Sequence, residues 1–257
     1  AIGDSAARLG TVTTDANGTV AVGSYSLGSL TSGIGNVAVG FEALQEENDG
    51  DYNTAIGYQA LTNQTGVTGT VSNTVVGYQA GYAITTGNTN QLFGRAAGVA
   101  LTTASGSTFI GNEAGGTVTT GNHNIGIGHD AMNGGTTTGD NNIAIGSKAM
   151  DAVTSGHDNI GIGHEAHTRL TTGIHNIAMG FNAHAQNAVT GNYNVALGFF
   201  ALADDAGGSN NVAIGYTAGR DQIGVSGSVF IGENAGHSVS TGQQNIAIGK
   251  DAMNGGT

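Results

Sequence analysis

The chain has 257 residues, of which 47 are glycine and none is proline, cysteine or tryptophan. Its formal charge is −12 with only six lysines and arginines, so it lacks the cations that neutralise phosphates, and we expect no nucleic-acid partner. Without cysteine no disulfide holds the fold. No apolar run approaches the roughly 20 residues of a membrane helix, so we expect no membrane insertion by this segment.

One five-residue phrase recurs along the whole chain, as in Asn142-Ile143-Ala144-Ile145-Gly146. Its glycine occurs 15 times, and the interval is 17 residues in ten cases, 18 in two and 20 in two. These glycines are Gly3, Gly23, Gly40, Gly57, Gly77, Gly94, Gly111, Gly128, Gly146, Gly163, Gly180, Gly198, Gly215, Gly232 and Gly249. A period this short is too small for helix-pair repeats and predicts one turn, or coil, of a β-solenoid per repeat. We therefore predict an all-β, parallel β-roll or β-solenoid with about 15 coils of about 17 residues.

The residues before each glycine fall into columns when successive coils are stacked. Four places before it stands Asn in 11 coils and Ser or Thr in three, which predicts a ladder of side chains hydrogen-bonded to each other and to turn backbone. Bulky apolar residues one and three places before the glycine flank a small residue, as in Ile143-Ala144-Ile145. This alternation predicts a short strand with one bulky face and one small face.

The residues after each glycine predict a second packed segment and a turn. Three places after it stands Ala in 14 of 15 copies, which predicts a position with no room for a larger side chain. Four places after it stands Leu, Met, Gly or His, which we interpret as a less tightly packed column. The rest of each coil is polar and often contains Thr-Thr-Gly, as at 85–87, so it reads as a turn into which the extra residues around 63–70 are inserted.

The array also contains a longer repeat. Residues 109–135 closely parallel residues 230–256, an offset of 121 residues, which indicates duplication of a block of seven coils. We treat residues 1–257 as a single repeat array. Because the chain opens and closes inside a repeat, we expect it to be a segment of a longer fibre.

The phrase Asn53-Thr54-Ala55-Ile56-Gly57-Tyr58-Gln59-Ala60 resembles the head repeats of YadA-like trimeric autotransporter adhesins, and similar repeats occur in bacteriophage tail fibres. The resemblance covers essentially the whole chain, although the repeat here is longer than in the adhesin heads. It implies a left-handed parallel β-roll in which three chains pack side by side and bind a cell surface. The structural repeat is represented by Asn53, Ile56, Gly57, Ala60, Asn142, Ile145, Gly146, Ala149, Asn176, Gly180, Asn211, Ile214 and Gly215.

Two groups of titratable residues suggest chemistry. His164-Glu165-Ala166-His167 lacks the second intervening residue and the helix that the zinc-protease phrase needs, so we interpret all eight histidines as surface variation. Metal ligation by three copies of one histidine on a trimer axis remains an alternative. The acidic pairs Glu46-Glu47, Asp49-Asp51 and Asp204-Asp205 lie in turns of separate coils, which favours solvated loops over the facing carboxylates of a glycan hydrolase. We predict no catalytic residue, no cofactor and no metal site.

Two further surfaces have alternative interpretations. Thr117 and Thr119 fit the Thr-x-Thr spacing of ice-binding solenoids, but most coils carry Thr-Thr-Gly in a turn instead. Aromatic residues directly after the glycine are either platforms for carbohydrate or, as we favour, rings packed against the next coil or chain. These are Phe41, Tyr58, Tyr78, Phe181, Phe199 and Tyr216.

Together these patterns predict a non-enzymatic, homotrimeric fibre segment. A thin coil with one strand face inward leaves the other face apolar and exposed, which marks an interface. The sequence leaves open which of the two faces meets the partner chains. We expect an extracellular tail fibre of a virion or an adhesin of a bacterial cell surface, with a host cell-surface glycan or protein as its partner. The alternatives are a purely structural shaft with the receptor-binding tip elsewhere and, less favoured, an ice-binding solenoid or a glycan-cleaving tailspike.

Overall fold

The computed structural model of the protein describes residues 2–7, 16–65, 68–205, 207–239 and 242–255. The chain divides into two compact units, Ala1–Asn124 (unit 1) and Ile125–Thr257 (unit 2). The repeat has the same register in both units. In a solenoid each coil contacts mainly the coils next to it, so a chain can divide into two units although its repeat is the same in both.

Short strands are the regular secondary structure of the described residues, and almost every one precedes a glycine of the phrase. Unit 1 contains β1 (Val20–Val22), β2 (Val37–Val39), β3 (Gly50–Asp51), β4 (Thr54–Ile56), β5 (Gly69–Thr70), β6 (Thr74–Val76), β7 (Gln91–Phe93) and β8 (Thr108–Ile110). Unit 2 contains β9 (Ile125–Ile127), β10 (Ile143–Ile145), β11 (Ile160–Ile162), β12 (Ile177–Met179), β13 (Val195–Leu197), β14 (Val212–Ile214), β15 (Val229–Ile231) and β16 (Ile246–Ile248). Among the described residues, no helix has the length and apolarity needed to cross a membrane.

Neighbouring strands pair in parallel, one repeat apart and residue for residue. In unit 2, Ile143 of β10 pairs with Ile160 of β11, and Ile145 pairs with Ile162. The strands of unit 1 that precede the phrase glycines pair in the same way, whereas β3 and β5 form a separate two-stranded sheet beside the insertion, of which residues 66 and 67 lie outside the described part. The predicted parallel β-solenoid with about 17 residues per coil is confirmed.

The glycine of the phrase is constant because the backbone of the next coil lies directly against it. Gly163 has φ +132°, and a Cβ atom built on it would lie 2.6 Å from the carbonyl oxygen of Gly180. A side chain would therefore meet both an unfavourable backbone conformation and a neighbouring peptide group. This contact explains why no other residue occupies the column.

The small face of each strand points inward, and the bulky face points outward. The middle residues Ala144 and Ala178 are fully buried. By contrast, Ile56 and Ile214 on the flanking positions are 38% and 37% exposed. Within each unit the columns of bulky apolar residues therefore lie on the outer surface.

The volume of the core comes from the columns that follow the glycine. Alanines at the third position, such as Ala60 and Ala149, are fully buried, which confirms the tightly packed column. The interpretation of the fourth position as a loose column is wrong, because Leu61 and Met150 are among the largest fully buried side chains. A positive φ, +54° at Leu61, turns this residue under the strand.

The middle strand residue and the fourth residue after the glycine compensate each other in size. Six coils combine Ala with Leu or Met, whereas two coils combine Phe with Gly, one of them Phe109 with Gly115. A Cβ atom at Gly115 would lie 2.5 Å from the ring of Phe109. The two positions therefore share one space inside the coil.

This shared space gives a testable exchange in unit 1. Phe109→Ala is expected to destabilise the chain by about 3 to 5 kcal/mol because it leaves a cavity. Gly115→Leu is expected to destabilise it by about 1 to 3 kcal/mol because it overpacks the coil. The double variant recreates the common Ala and Leu pair, so its loss should be far smaller than the sum. Urea unfolding followed by circular dichroism measures all three, and additive losses would show that the positions do not share one space.

The asparagine column forms the predicted ladder inside the coil. Asn159 donates its backbone N–H to Oδ1 of Asn142 at 3.1 Å and its Nδ2 to the carbonyl oxygen of Gly173 at 2.8 Å. Its own Oδ1 accepts the backbone N–H of Asn176 at 2.9 Å. Each buried amide thereby satisfies backbone groups of adjacent coils, which is what a buried corner requires.

Candidate interaction surface

The outer surface of the sheet in unit 2 is an uninterrupted apolar face. We call the first and third residues of the three-residue strands in each unit its apolar face. In unit 2 they are Ile125, Ile127, Ile143, Ile145, Ile160, Ile162, Ile177, Met179, Val195, Leu197, Val212, Ile214, Val229, Ile231, Ile246 and Ile248. With eight strands about 4.8 Å apart, this face is about 34 Å long and about 7 Å wide.

Four of the sixteen side chains of this face are exposed although they are apolar, and the other twelve are partly buried against neighbouring coils. Met179 is 42% exposed and Ile248 is 66% exposed. Single exposed apolar residues are normal on proteins, but a contiguous strip indicates contact with another surface. This strip is the strongest candidate for an interaction surface in unit 2.

The apolar face of unit 1 has the same geometry but a different composition. Its third-residue column stays apolar and includes Ile56, Phe93 and Ile110. Its first-residue column begins with Val20 and Val37 and then becomes polar. The polar members are Thr54, Thr74, Gln91 and Thr108.

Stacked aromatic ladders run beside the apolar face, one residue after the glycine. In unit 1 the centroids of Phe41 and Tyr58 are 5.2 Å apart, and those of Tyr58 and Tyr78 are 5.4 Å apart. In unit 2 the ladder comprises His164, Phe181, Phe199 and Tyr216, with neighbouring centroids 5.1 to 5.4 Å apart. Packing against the next coil is confirmed. Because the rings cover each other's faces, a ligand approaching from the side meets ring edges, a poor platform for stacking a sugar.

A mostly polar column, two places after the glycine, follows the aromatic ladder. In unit 1, Gln79 donates to Gln59 at 2.8 Å, and Gln59 donates to the carboxylate of Glu42 at 2.7 Å. Farther along the same unit, Arg95 forms an ion pair with Glu113. The apolar face is therefore bordered by groups that remain hydrated, as in the polar rim of protein interfaces.

Three of the residues chosen from the sequence belong to the candidate surface, and the others build the solenoid. Ile56, Ile145 and Ile214 lie on the apolar face. The remaining positions are the buried ladder residues Asn53, Asn142, Asn176 and Asn211, the core residues Ala60 and Ala149, and the stacked glycines Gly57, Gly146, Gly180 and Gly215. Of the thirteen positions, three therefore lie on the candidate surface and ten lie in the solenoid scaffold.

Of the two histidines of the His-Glu-Ala-His motif, His164 lies on the outside of the coil and His167 lies in its interior. His164 is exposed and stacks on Phe181, whereas His167 is fully buried. His167 Nε2 lies 3.2 Å from Nδ1 of His184, which is also fully buried, and His167 Nδ1 has no hydrogen-bond partner. The interpretation of all histidines as surface variation is therefore wrong for His167 and His184. Both occupy the fourth column after the glycine, which in several other coils holds leucine or methionine, and this pattern could have revealed them.

Burial determines the protonation of this histidine pair. Loss of hydration lowers the pKa of His184 to about 4, although a backbone contact at Asp205 acts in the opposite direction. Loss of hydration also holds the pKa of His167 well below its usual value, and His184 adds to that effect. Both imidazoles are thus neutral near pH 7. Among the described residues, no group of three or more His, Cys, Asp or Glu side chains is placed to hold a metal ion.

Glu47 and Asp205 are buried and hydrogen-bond to the backbone of the turns in which they lie. Glu47 accepts the backbone N–H of Gly50 at 2.7 Å, and Asp205 accepts that of Gly208 at 2.9 Å. Burial raises the pKa of both carboxyl groups. The interpretation as solvated loops is wrong for Glu47 and Asp205, because each one hydrogen-bonds turn backbone inside its coil.

The third acidic pair lies in the turn as expected and also has a structural role. Asp49 accepts the hydroxyl groups of Thr31 and Ser32, and these hydrogen bonds lower the pKa of its carboxyl group. Asp51 accepts the backbone N–H of Ile34 at 2.8 Å. These contacts tie one coil to the next.

The threonine turns bind the neighbouring coil through their hydroxyl groups. Thr85 Oγ1 donates to the carbonyl oxygen of Thr102 at 3.2 Å, and Thr154 Oγ1 donates to that of Thr171 at 3.0 Å. These hydroxyl hydrogens are used within the chain. The pattern offers no support for the ranks of free Thr-x-Thr hydroxyls that an ice-binding face needs.

The chain matches no protein-family model, and no curated protein and no solved structure matches it significantly. Support for a function comes from the exposed faces of the two solenoid units and from the residues of the repeat.

Proposed function

We propose that the chain is a segment of a non-enzymatic, homotrimeric extracellular fibre that attaches a virion or a bacterial cell to a host surface. The observation that supports this most is the uninterrupted apolar face of unit 2. The resemblance of the repeat to YadA-like head repeats and phage tail fibres supplies the number of chains and the role.

Burial of the apolar face supplies the driving force for association. Complete burial of a fully exposed isoleucine side chain contributes about 1.5 to 3 kcal/mol, and a side chain that is already partly buried contributes correspondingly less. Eight strands present two apolar side chains each in unit 2, and most of these are partly buried within the chain, as Ile143 and Ile145 are in β10. Cyclic association lets every copy bury the same face, which satisfies all copies at once.

Attachment would follow from repetition rather than from a single strong site. Three identical chains present the same ring edges and polar columns at many coils. Weak contacts to a repetitive host glycan or surface protein then add through avidity. The half-exposed hydroxyl-bearing rings Tyr58, Tyr78 and Tyr216 are the side chains that we expect to meet such a partner.

A second candidate is a structural shaft without recognition in this segment. It is favoured by the finding that the ring faces are covered by neighbouring rings, as in the stack of Phe41, Tyr58 and Tyr78. In that case the apolar face would still drive assembly. The receptor would be bound by another part of the fibre.

Binding of the purified, fluorescently labelled assembly to a panel of bacterial cells and purified surface polysaccharides tests the proposal. We expect the assembly to be retained on at least one surface. A Tyr58→Ser/Tyr78→Ser variant should still form an assembly of three chains but should not be retained. An assembly of trimeric mass that is retained on no surface in the panel would favour the shaft. Release of reducing sugars from a polysaccharide would contradict the non-enzymatic role.

A further inference from the structure

Gln91 is the longest of the four polar side chains in the first-residue column of unit 1. It is the first residue of β7, it is exposed, and it pairs with Thr74 of β6 and Thr108 of β8. The third residues of the same strands are the apolar Val76, Phe93 and Ile110. A long amide side chain therefore stands where the coils at the start of the unit and throughout unit 2 carry valine or isoleucine.

The hydrogen bonds of this amide within the chain use half of its capacity. Oε1 accepts the hydroxyl of Thr108 at 3.2 Å, and Nε2 donates to the carbonyl oxygen of Thr89 at 3.1 Å. A primary amide has two N–H donors and two acceptor sites. One N–H and one lone pair thus remain for a further partner, and the same two groups on a second copy would complement them.

An apolar face made of repeated coils has no preferred axial position. If one copy slides along another by one coil, isoleucine again meets isoleucine, and hydrophobic contact is non-directional. A residue that differs from its equivalents in other coils is needed to select one position. A single polar residue in an apolar seam is a well-attested way to fix the register of associated chains.

We propose that Gln91 sets the axial register of the homotrimer by hydrogen bonding to Gln91 of the neighbouring copies. This inference rests on the proposed trimer. In the matched register, each Gln91 donates its remaining N–H to Oε1 of the next copy, which closes a ring of three bonds. Displaced by one coil, it meets the shorter Thr74, and displaced by three coils it meets Val37 and loses water without a new partner.

Cysteine crosslinking reads this register directly, because the native chain contains no cysteine. Ile110→Cys and Val76→Cys place single thiols on strands β8 and β6, two coils apart. A disulfide requires Cβ atoms about 4 Å apart, so the two different sites join only in displaced assemblies. The Ile110→Cys chain and the Val76→Cys chain carry tags of different mass, are refolded together and are then oxidised. Disulfide-linked dimers are separated by mass into same-site dimers, which join two identical variants, and mixed-site dimers, which join one of each.

With Gln91 present, we expect same-site disulfides. When both cysteine variants also carry Gln91→Leu, we expect at least a fivefold rise in mixed-site disulfides. The assembly mass should not change, because leucine keeps the face apolar. Gln91→Val is a second variant in case leucine packs poorly. Gln186→Leu, at an exposed site outside the strands, is the matched control and should keep same-site disulfides alone.

The remaining outcomes overturn the inference in distinguishable ways. Same-site disulfides alone in both Gln91 variants would show that another feature sets the register. An assembly of trimeric mass without same-site disulfides would place the apolar face of unit 1 outside the contact. A monomeric Gln91 variant would show that Gln91 drives association itself. A monomeric native chain would instead contradict the proposed function.

Discussion

Gly163→Ala is expected to destabilise unit 2 by roughly 3 to 5 kcal/mol, the combined cost of a strained backbone and an overpacked contact. The new methyl group would lie 2.6 Å from the carbonyl oxygen of Gly180, and φ at this residue is +132°. The next coil must then move away, which breaks its parallel pairing. Chemical unfolding followed by circular dichroism measures the loss.

Gly249→Ala is the matched control, because it changes the same column without a facing coil. Its φ is +119°, and a Cβ atom there meets nothing within 4 Å. The control therefore reports the backbone cost alone, and Gly163→Ala should cost at least about 1 kcal/mol more, the lower range of overpacking. Equal losses in the two variants would show that stacking of coils does not explain the glycine column.

Acidification is expected to remove the stability that depends on the buried pair His167 and His184. The pKa of His184 is lowered to about 4 in the folded chain, against about 6.5 when unfolded, so the unfolded chain binds more protons between these values. The contribution is present above about pH 6.5 and is lost as pH falls towards 4. For His184 alone this amounts to about 3 kcal/mol.

A double variant, His167→Leu/His184→Leu, isolates this effect because leucine already occupies the same column at Leu61 and Leu202. Its stability should fall less than that of the native chain between pH 7 and pH 4. The raised pKa values of Glu47 and Asp205 act with the opposite sign, since the folded chain holds those protons more tightly. They are common to both proteins and cancel in the comparison. Parallel stability curves for the two proteins over this pH range would contradict the assignment.

The fold could be predicted from the sequence because its main constraints act on single columns. No residue replaces a glycine such as Gly163, and only the short hydroxyl residues Ser and Thr replace an amide such as Asn159. Each therefore recurs at a fixed interval. That interval gives the coil length and the parallel pairing directly.

The direction of the strand faces could not be predicted because both faces are apolar. Ala144 and Ile145 are each compatible with an interior, and only the packing of Met150 beneath the strand decides between them.

The buried histidines and acids were missed for a related reason. His167 lies in the fourth column after the glycine, which varies in residue type because it shares its space with the strand. Glu47 lies seven places after Gly40, in a column that holds the buried Leu30 and Leu101 in other coils. Both residues therefore resemble surface substitutions.

The handedness, the number of chains and the attachment role remain predictions that rest on the resemblance and on the apolar face. On that face, three successive strands, β9 to β11, carry isoleucine at both outward positions. They are therefore the place where a designed change should affect assembly most. Charged residues there would remove the driving force without touching the core, since these side chains point outward.

The molar mass in solution, measured by light scattering after size exclusion, distinguishes a trimer from a single chain. We expect 75.9 kDa for the native chain, three times the 25.3 kDa of one chain. For the variant Ile145→Glu/Ile162→Glu, whose outward face is charged, we expect about 25.3 kDa. A native chain that stays folded at 25.3 kDa at micromolar and higher concentrations would contradict the proposed trimer.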